Sequence, residues 1–402
     1  MYNFDFDKII DRRGMDALAV DGLGTAPGFA PEPPEDGFDI IPMWVADMNF
    51  EGPSSITDAI SKRLEHRLFG YFRTSDAYYD AIIGWQAKRN GVTGLKPEHI
   101  GYENGVLGGL VSVLNAYLEP GDKVLLHNPT YVGFTGSITN AGYEIVHSDL
   151  ILGDDDVWRM DYEDMDRKIK ENGIKVCVFC NPHNPCGRAW TCEEMAKAAE
   201  VYEKNGCIVI SDEIWSDLLL NGNKYTPFQS VNEFTHNNTV ALYAPSKTFN
   251  LAGLIGSYHI IYNDEIRKKV EEAGSKSHYN NMNVLSMHAL IGAYSEEGMA
   301  WLDELRGVLS KNINYACDEF AQLGCGIKAV KPEGTYMLFL DCSGWCKAKG
   351  RTIEDLLRSG WRVGVAWQDG RPFRQGDYIR LNLALPHSRV EEAFSRLKNY
   401  VL

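Results

Sequence analysis

Four short runs constrain this chain most: KVLLH (123–127), VCVFC (176–180), CIVIS (207–211) and TVALY (239–243). Each is apolar almost throughout. A strand with one wet face alternates apolar and polar residues, whereas a continuously apolar strand must be covered on both sides. Helical stretches at 54–68, 77–90, 106–118 and 192–205 precede or separate these runs. The alternation predicts an α/β architecture with helices on both faces of a mostly parallel sheet. With 402 residues the chain exceeds one simple core. The reading is a large domain over 51–290 and a smaller α/β domain over 291–402. An N-terminal arm, 1–50, joins the smaller domain. It contains a Pro/Gly-rich segment, 21–37, expected to be an extended arm or loop. Beyond residue 290, long helical stretches (284–323) give way to mixed strands and helices.

Composition removes several classes of function. The net charge is -15 and the only basic run of note is RKK (267–269), so nucleic acid is not expected as a partner. No segment approaches the roughly 20 apolar residues that span a bilayer. The start, MYNFDFDKIIDRRG, is acidic and mixed, unlike a signal peptide. A cytoplasmic location is the expectation. Nine cysteines without a secretion signal argue against a disulfide framework. Cys177 and Cys180 form a C-x-x-C inside a strand, where residues three apart face opposite sides, so they read as small buried hydrophobes.

In open α/β sheets, ligands bind beyond the carboxyl ends of the strands. After KVLLH comes NPTY, which ends in Tyr131. After VCVFC comes NPHNPCGR, with Asn184. After CIVIS comes Asp212, and after TVALY comes APSK, ending in Lys247. Four consecutive strands thus deliver an aromatic ring, an amide, a carboxylate and an amine to one edge. A lysine at the mouth of a core is either a snorkelling surface residue or an amine made reactive by its setting. The segment YENGVLGGLVSVLNAYL (102–118) adds a glycine-bearing turn that opens an apolar helix, a place where backbone N–H groups suit a phosphate. It matches neither a Walker A motif nor G-x-G-x-x-G, so a nucleotide or dinucleotide site is poorly supported. A phosphate cradle, an aromatic plate, a carboxylate, an amide and a lysine describe a pyridoxal 5'-phosphate site.

At this point the chain resembles the fold-type I, class I/II aminotransferase-related enzymes that use pyridoxal phosphate. It is most similar to their cystathionine β-lyase (C–S lyase) subgroup of the MalY/PatB type. The motifs that carry the resemblance are PMWVADMNF (42–50), FGYF (69–72), ENGVLGGL, NPTYVGF, NPHNPCGR, SDEIWSDL, APSKTFNLAG and IRLNLAL (379–385). The resemblance implies fold type I, with a mostly parallel seven-stranded sheet in the large domain. It implies that Lys247 forms the Schiff base and acts as acid and base at Cα and the leaving group. Asp212 would pair with the pyridinium nitrogen, Asn184 would bond the ring oxygen, and Tyr131 would stack on the ring. Backbone N–H groups of Val106 and Leu107, helped by Ser246, would hold the phosphate. Tyr71 would reach the phosphate of a neighbouring subunit, which implies a homodimer with shared sites; a core aromatic is its competing reading. Arg380 would clamp the substrate carboxylate. Ala46, with Tyr131 and Asn184, would border the substrate. No metal is expected.

Some positions depart from the subgroup. Trp215 stands where His or Tyr is more usual, and Asn49 replaces an aspartate in WVADMDF. The arm lacks the expected KW pair, and no arginine follows Lys247 within LAGLIGSY. The expected activity is β-elimination from cystathionine or a related cysteine conjugate, giving pyruvate, ammonia and a thiol. Transamination of an amino acid shares its steps up to the carbanion and stays open. A regulatory or binding protein on the same fold is the alternative of another class.

Overall fold

The apolar runs lie side by side. The computed structural model describes residues 2–26, 29–276 and 280–402. Its main sheet contains, in chain order, β1 (Ile100–Glu103), β2 (Lys123–Asn128), β3 (Glu144–Asp149), β4 (Val176–Cys180), β5 (Ile208–Asp212), β6 (Thr239–Tyr243) and β7 (Ser257–Ile260). The order across the sheet is β1-β7-β6-β5-β4-β2-β3. Strands β2 to β6 run parallel, and β7 runs against both of its neighbours. Every residue of β4 and β6 is buried.

The alternation of side chains explains VCVFC. Val176, Val178 and Cys180 pack on one face with Val106, Leu110 and Leu114 of the helix Val106–Tyr117. Cys177 and Phe179 pack on the other with Trp190, Met195 and Tyr202. The two cysteines therefore point to opposite faces of the sheet, as small core residues.

The two outer strands beside β6 and the edge strand β3 were not legible as apolar runs. β1 carries a buried carboxylate, Glu103, which accepts from Ser112 Oγ at 3.2 Å and bonds His259 Nδ1 of β7 at 2.8 Å. The His259 ring lies directly over Gly101. A Cβ on Gly101 would come within 2.2 Å of His259 Nε2, so only glycine fits.

A second sheet, antiparallel throughout, contains β8 (Lys328–Ala329), β9 (Met337–Asp341), β10 (Gln368–Asp369) and β11 (Tyr378–Asn382) in the order β8-β9-β11-β10. The helices Glu296–Leu323, Ile353–Arg362 and His387–Tyr400 contribute to its apolar core. The stretch 284–323 is two helices, Val284–Ala293 and Glu296–Leu323. Ser295 separates them, its side chain capping the second by accepting from Gly298 N. The N-terminal segment packs here too: Ile41–Pro42 pairs in parallel with Val365–Ala366, and Asp39 accepts from Arg389 and Arg396. Within 21–37, residues 27 and 28 lie outside the described residues; the others form no strand.

One boundary differs in a way that bears on function. The helix expected over 54–68 ends at Leu64. Leu68, Phe69 and Tyr71 follow as non-helical, exposed residues.

Candidate active site

The carboxyl ends of β2, β4, β5 and β6 open onto one cavity of about 210 Å³. Eight of the expected cofactor and substrate residues line it: Ala46, Val106, Leu107, Tyr131, Asn184, Asp212, Ser246 and Lys247. Arg380 joins them from β11, where Nη1 donates to Asn184 Oδ1 at 3.1 Å. Tyr71 does not line this cavity; it is fully exposed, which excludes the core-aromatic reading.

Lys247 sits in a single helical turn, Pro245–Thr248, directly after β6. Its Nζ donates to the Ala46 carbonyl at 2.8 Å and lies 5.7 Å from the centre of the Trp215 ring. Burial pulls its pKa from 10.5 down to about 8, helped by the positive charge of Arg380; Asp47 and Asp212 oppose the shift. About a tenth of the amine is therefore uncharged at pH 7, the form that a nucleophile or base requires.

Asp212 ends β5. Burial pushes its pKa up to about 7, because among the described residues its carboxylate accepts only from Ile214 N, at 3.0 Å to Oδ1, and the pull of Lys247 is weak. Among the described residues it has no ion-pair partner. A cationic N–H placed against it would restore its charge. Beside it, Glu213 turns away from the cavity. Its carboxylate accepts from Ser211 Oγ at 2.6 Å, Phe228 N at 3.2 Å and the Tyr225 hydroxyl.

The phosphate-sized end is made by Gly105, Val106 and Leu107. Gly105 has φ +80°, which turns the chain from β1 into the helix Val106–Tyr117. The first amides of such a helix have no carbonyl of their own helix to bond, and they face the positive end of its dipole. Tyr131 lies against Gly133, where a Cβ would come 2.4 Å from its ring. Gly133 thus leaves room for the aromatic plate. These features fit pyridoxal phosphate: an acceptor for a ring N–H, a plate, an anion cradle and an amine.

Arg380 is almost completely buried. Besides Asn184, its guanidinium donates to the Trp44 carbonyl at 3.3 Å and to Gln368 Oε1, and it packs on the Phe373 ring at 4.5 Å. Among the described residues its Nε has no hydrogen-bond partner. Burial lowers its pKa to about 10.

A family model for aminotransferases of class I and II matches residues 45–397. The chain belongs to this family. Within the class I/II aminotransferase family it is 34% identical to the cystathionine beta-lyase PatB of Bacillus subtilis over 396 residues, 98% of this chain and 99% of that protein. It is 28% identical to the protein MalY of Escherichia coli, covering 99% of each. Two crystal structures are similar. One is the pyridoxal-phosphate-bound C–S lyase of Staphylococcus hominis, at 30% identity and a TM-score of 0.88, covering 100% of this chain and 99% of that one. The other is cystalysin of Treponema denticola, which contains pyridoxal 5'-phosphate, at 28% identity and a TM-score of 0.89, covering 98% of both chains. The fold is the expected type I arrangement of the family.

Sequence reasoning missed several residues at this family site. Tyr336 donates to the Ala46 carbonyl at 3.0 Å. Asn382 donates to the carbonyls of Val45 and Asp47, at 2.7 and 2.6 Å. Asn250 bonds both N and O of Met48. Trp215, one of the departures, is buried and stands edge-on to Tyr336 at 4.8 Å, forming an apolar wall. Asn49, another departure, accepts from Arg12 Nη1 at 3.1 Å, outside the cavity lining. IRLNLAL contains Asn382 two residues from Arg380, and that spacing on a strand was the available signal.

Proposed function

We propose that this protein is a pyridoxal 5'-phosphate-dependent carbon–sulfur lyase that cleaves cystathionine or a related cysteine S-conjugate to pyruvate, ammonia and a thiol. The observation that carries this reading is the meeting of Lys247 and Asp212, from neighbouring parallel strands, in one cavity beside the buried Arg380. Bound there, pyridoxal phosphate supplies an electron sink for a carbanion at the substrate Cα. Asp212 would accept from the ring nitrogen and keep it protonated. Asn184 would bond the ring oxygen and Tyr131 would cover the ring face. The amides of Val106 and Leu107 and the Ser246 hydroxyl would hold the phosphate. Arg380 pairs with the substrate carboxylate, and Ala46 borders the substrate. Lys247 takes the Cα proton and returns a proton to the departing sulfur.

These residues serve transamination as well; likeness to PatB and to the S. hominis C–S lyase supports elimination. The test is L-cystathionine supplied without a keto acid. Pyruvate, ammonia and thiol released over many turnovers are expected. Turnover that starts only when a keto acid is added would make the protein an aminotransferase.

The reading includes a homodimer. Leu68, Phe69 and Tyr71 form an exposed stretch of apolar side chains, 70%, 60% and 111% accessible, of the kind that marks an interaction surface. A second copy covers it, and Tyr71 reaches the phosphate cradle of the partner subunit. A cytoplasmic location belongs to the same reading, supported by nine unpaired cysteines. No helix among the described residues is long and apolar enough to cross a membrane.

A further inference from the structure

Five consecutive backbone carbonyls, centred on Ala46 at the cavity wall, each accept from a side chain. Trp44 O takes Arg380, Val45 O takes Asn382, Ala46 O takes Lys247 and Tyr336, Asp47 O takes Asn382, and Met48 O takes Asn250. Asn382 is the centre of this pattern. It is fully buried, both of its amide hydrogens are used on the carbonyls flanking Ala46, and its Oδ1 accepts from Ala384 N at 2.8 Å. Its backbone N donates to Met43 O at 2.8 Å, so Asn382 grips the segment at three carbonyls. Between the two carbonyls its side chain holds lies that of Ala46, which meets the Lys247 amine.

We infer that Asn382 is a positioning residue: it holds the Val45 and Asp47 carbonyls so that the Ala46 carbonyl between them fixes the direction of the Lys247 amine. A neutral amine has two N–H bonds and one lone pair. Once one N–H is committed to Ala46 O, rotation about the Cε–Nζ bond is limited and the lone pair is aimed. Tyr336 shares the same carbonyl and competes with the amine for it. The catalytic weight of the arrangement rests on the reading of Lys247 as the proton-transfer group; the arrangement itself does not.

The charged groups that face the amine are Arg380, Asp47 and Asp212, and the Trp215 ring lies nearby. None of the three charges is altered by changing Asn382 or Tyr336. The carbonyl bonds the charged ammonium more strongly than the neutral amine. Misaligning it lowers the pH at which Lys247 loses its proton, and removing its competitor raises that pH. The experiment follows Lys247 in cofactor-free protein by reductive methylation with formaldehyde, read by peptide mass spectrometry across pH. For Asn382→Ala the midpoint is expected to fall by about one pH unit. For Tyr336→Phe, close to isosteric, it is expected to rise. In the loaded enzyme Asn382→Ala is expected to lower kcat about tenfold or more with KM little changed, because Arg380 keeps its own contacts with Asn184 and Gln368. Midpoints that stay at the wild-type value, or that move in the same direction in both variants, overturn the inference. Should Asn382→Ala fail to fold, the rise in Tyr336→Phe decides alone, and its absence overturns the inference. Midpoints that move in opposite directions in a protein that does not cleave cystathionine would uphold the positioning and reject the lyase.

Discussion

Replacing Lys247 with methionine should stabilise the cofactor-free protein at neutral pH while abolishing its activity. The folded chain lowers the amine from 10.5 to about 8, so it disfavours the charged form by roughly 3 kcal/mol at about 1.4 kcal/mol per pH unit. Below pH 8 both the folded and the unfolded chain hold the proton, and the folded chain carries the full burial penalty. Between about pH 8 and 10.5 the unfolded chain binds a proton that the folded chain has lost, so wild-type stability rises with pH. Methionine has similar volume, no charge and no titration. It forfeits the hydrogen bond to Ala46 O, about 1 kcal/mol. The expected gain at pH 7 is therefore about 2 kcal/mol. It should shrink above pH 8 and become a loss of about 1 kcal/mol near pH 10.5. Urea unfolding of both proteins across this range measures the difference directly, since medium effects on other groups cancel. A variant less stable than wild type at pH 7, or a gap that does not change with pH, would refute the claim that burial of the charged amine sets its pKa.

Other consequences are as direct. Gly101→Ala should lower stability by roughly 2 kcal/mol or more, because the new methyl strikes the buried His259 ring; thermal unfolding measures it, and an unchanged Tm would mean that the ring moves freely. Arg380→Lys should raise KM about a hundredfold with a smaller effect on kcat, since a point charge cannot replace a bidentate fork; steady-state kinetics with cystathionine separate the two. Tyr71→Ala and Lys247→Ala proteins, each inactive alone, should recover about a quarter of wild-type activity when unfolded and refolded together, because half of the dimers are mixed and each holds one intact site. No recovery would remove Tyr71 from the partner subunit's site.

The sheet was legible where burial leaves no alternative. TVALY and VCVFC have no polar face to offer, so their neighbours had to be helices, and their ends had to carry Lys247 and Asn184. β1 and β7 were not legible, because Glu103 and His259 interrupt the apolar pattern. Each is a poor core residue alone, and the two satisfy each other only once the strands are paired. The helix from Ser54 was overextended because apolar spacing continues through Leu68, whereas those side chains are exposed. Tyr336 and Asn250 escaped notice for another reason. They bond main-chain carbonyls of a distant segment, and a carbonyl acceptor leaves no trace in residue type.

The three ionisable groups at the centre share one electrostatic condition. Burial pushes Lys247 and Arg380 down and Asp212 up, all toward their neutral forms. The amine and the guanidinium repel each other, so neither relieves the other. Asp212 is the weakest of the influences on Lys247, so that pair does not neutralise itself either. A ligand with a cationic N–H for Asp212 and an anionic group for Arg380 answers both needs, and anions at the Val106 helix start add a third favourable term. An α-amino acid joined to a protonated pyridine phosphate has this charge pattern. A neutral ligand of the same shape lacks it, and binding it would leave Asp212 and Arg380 buried without an opposite charge from the ligand. Recognition at this site is accordingly electrostatic before it is steric. The apolar side chains of Trp215 and Ile214 in the cavity lining are left to act on the part of the substrate that carries no charge.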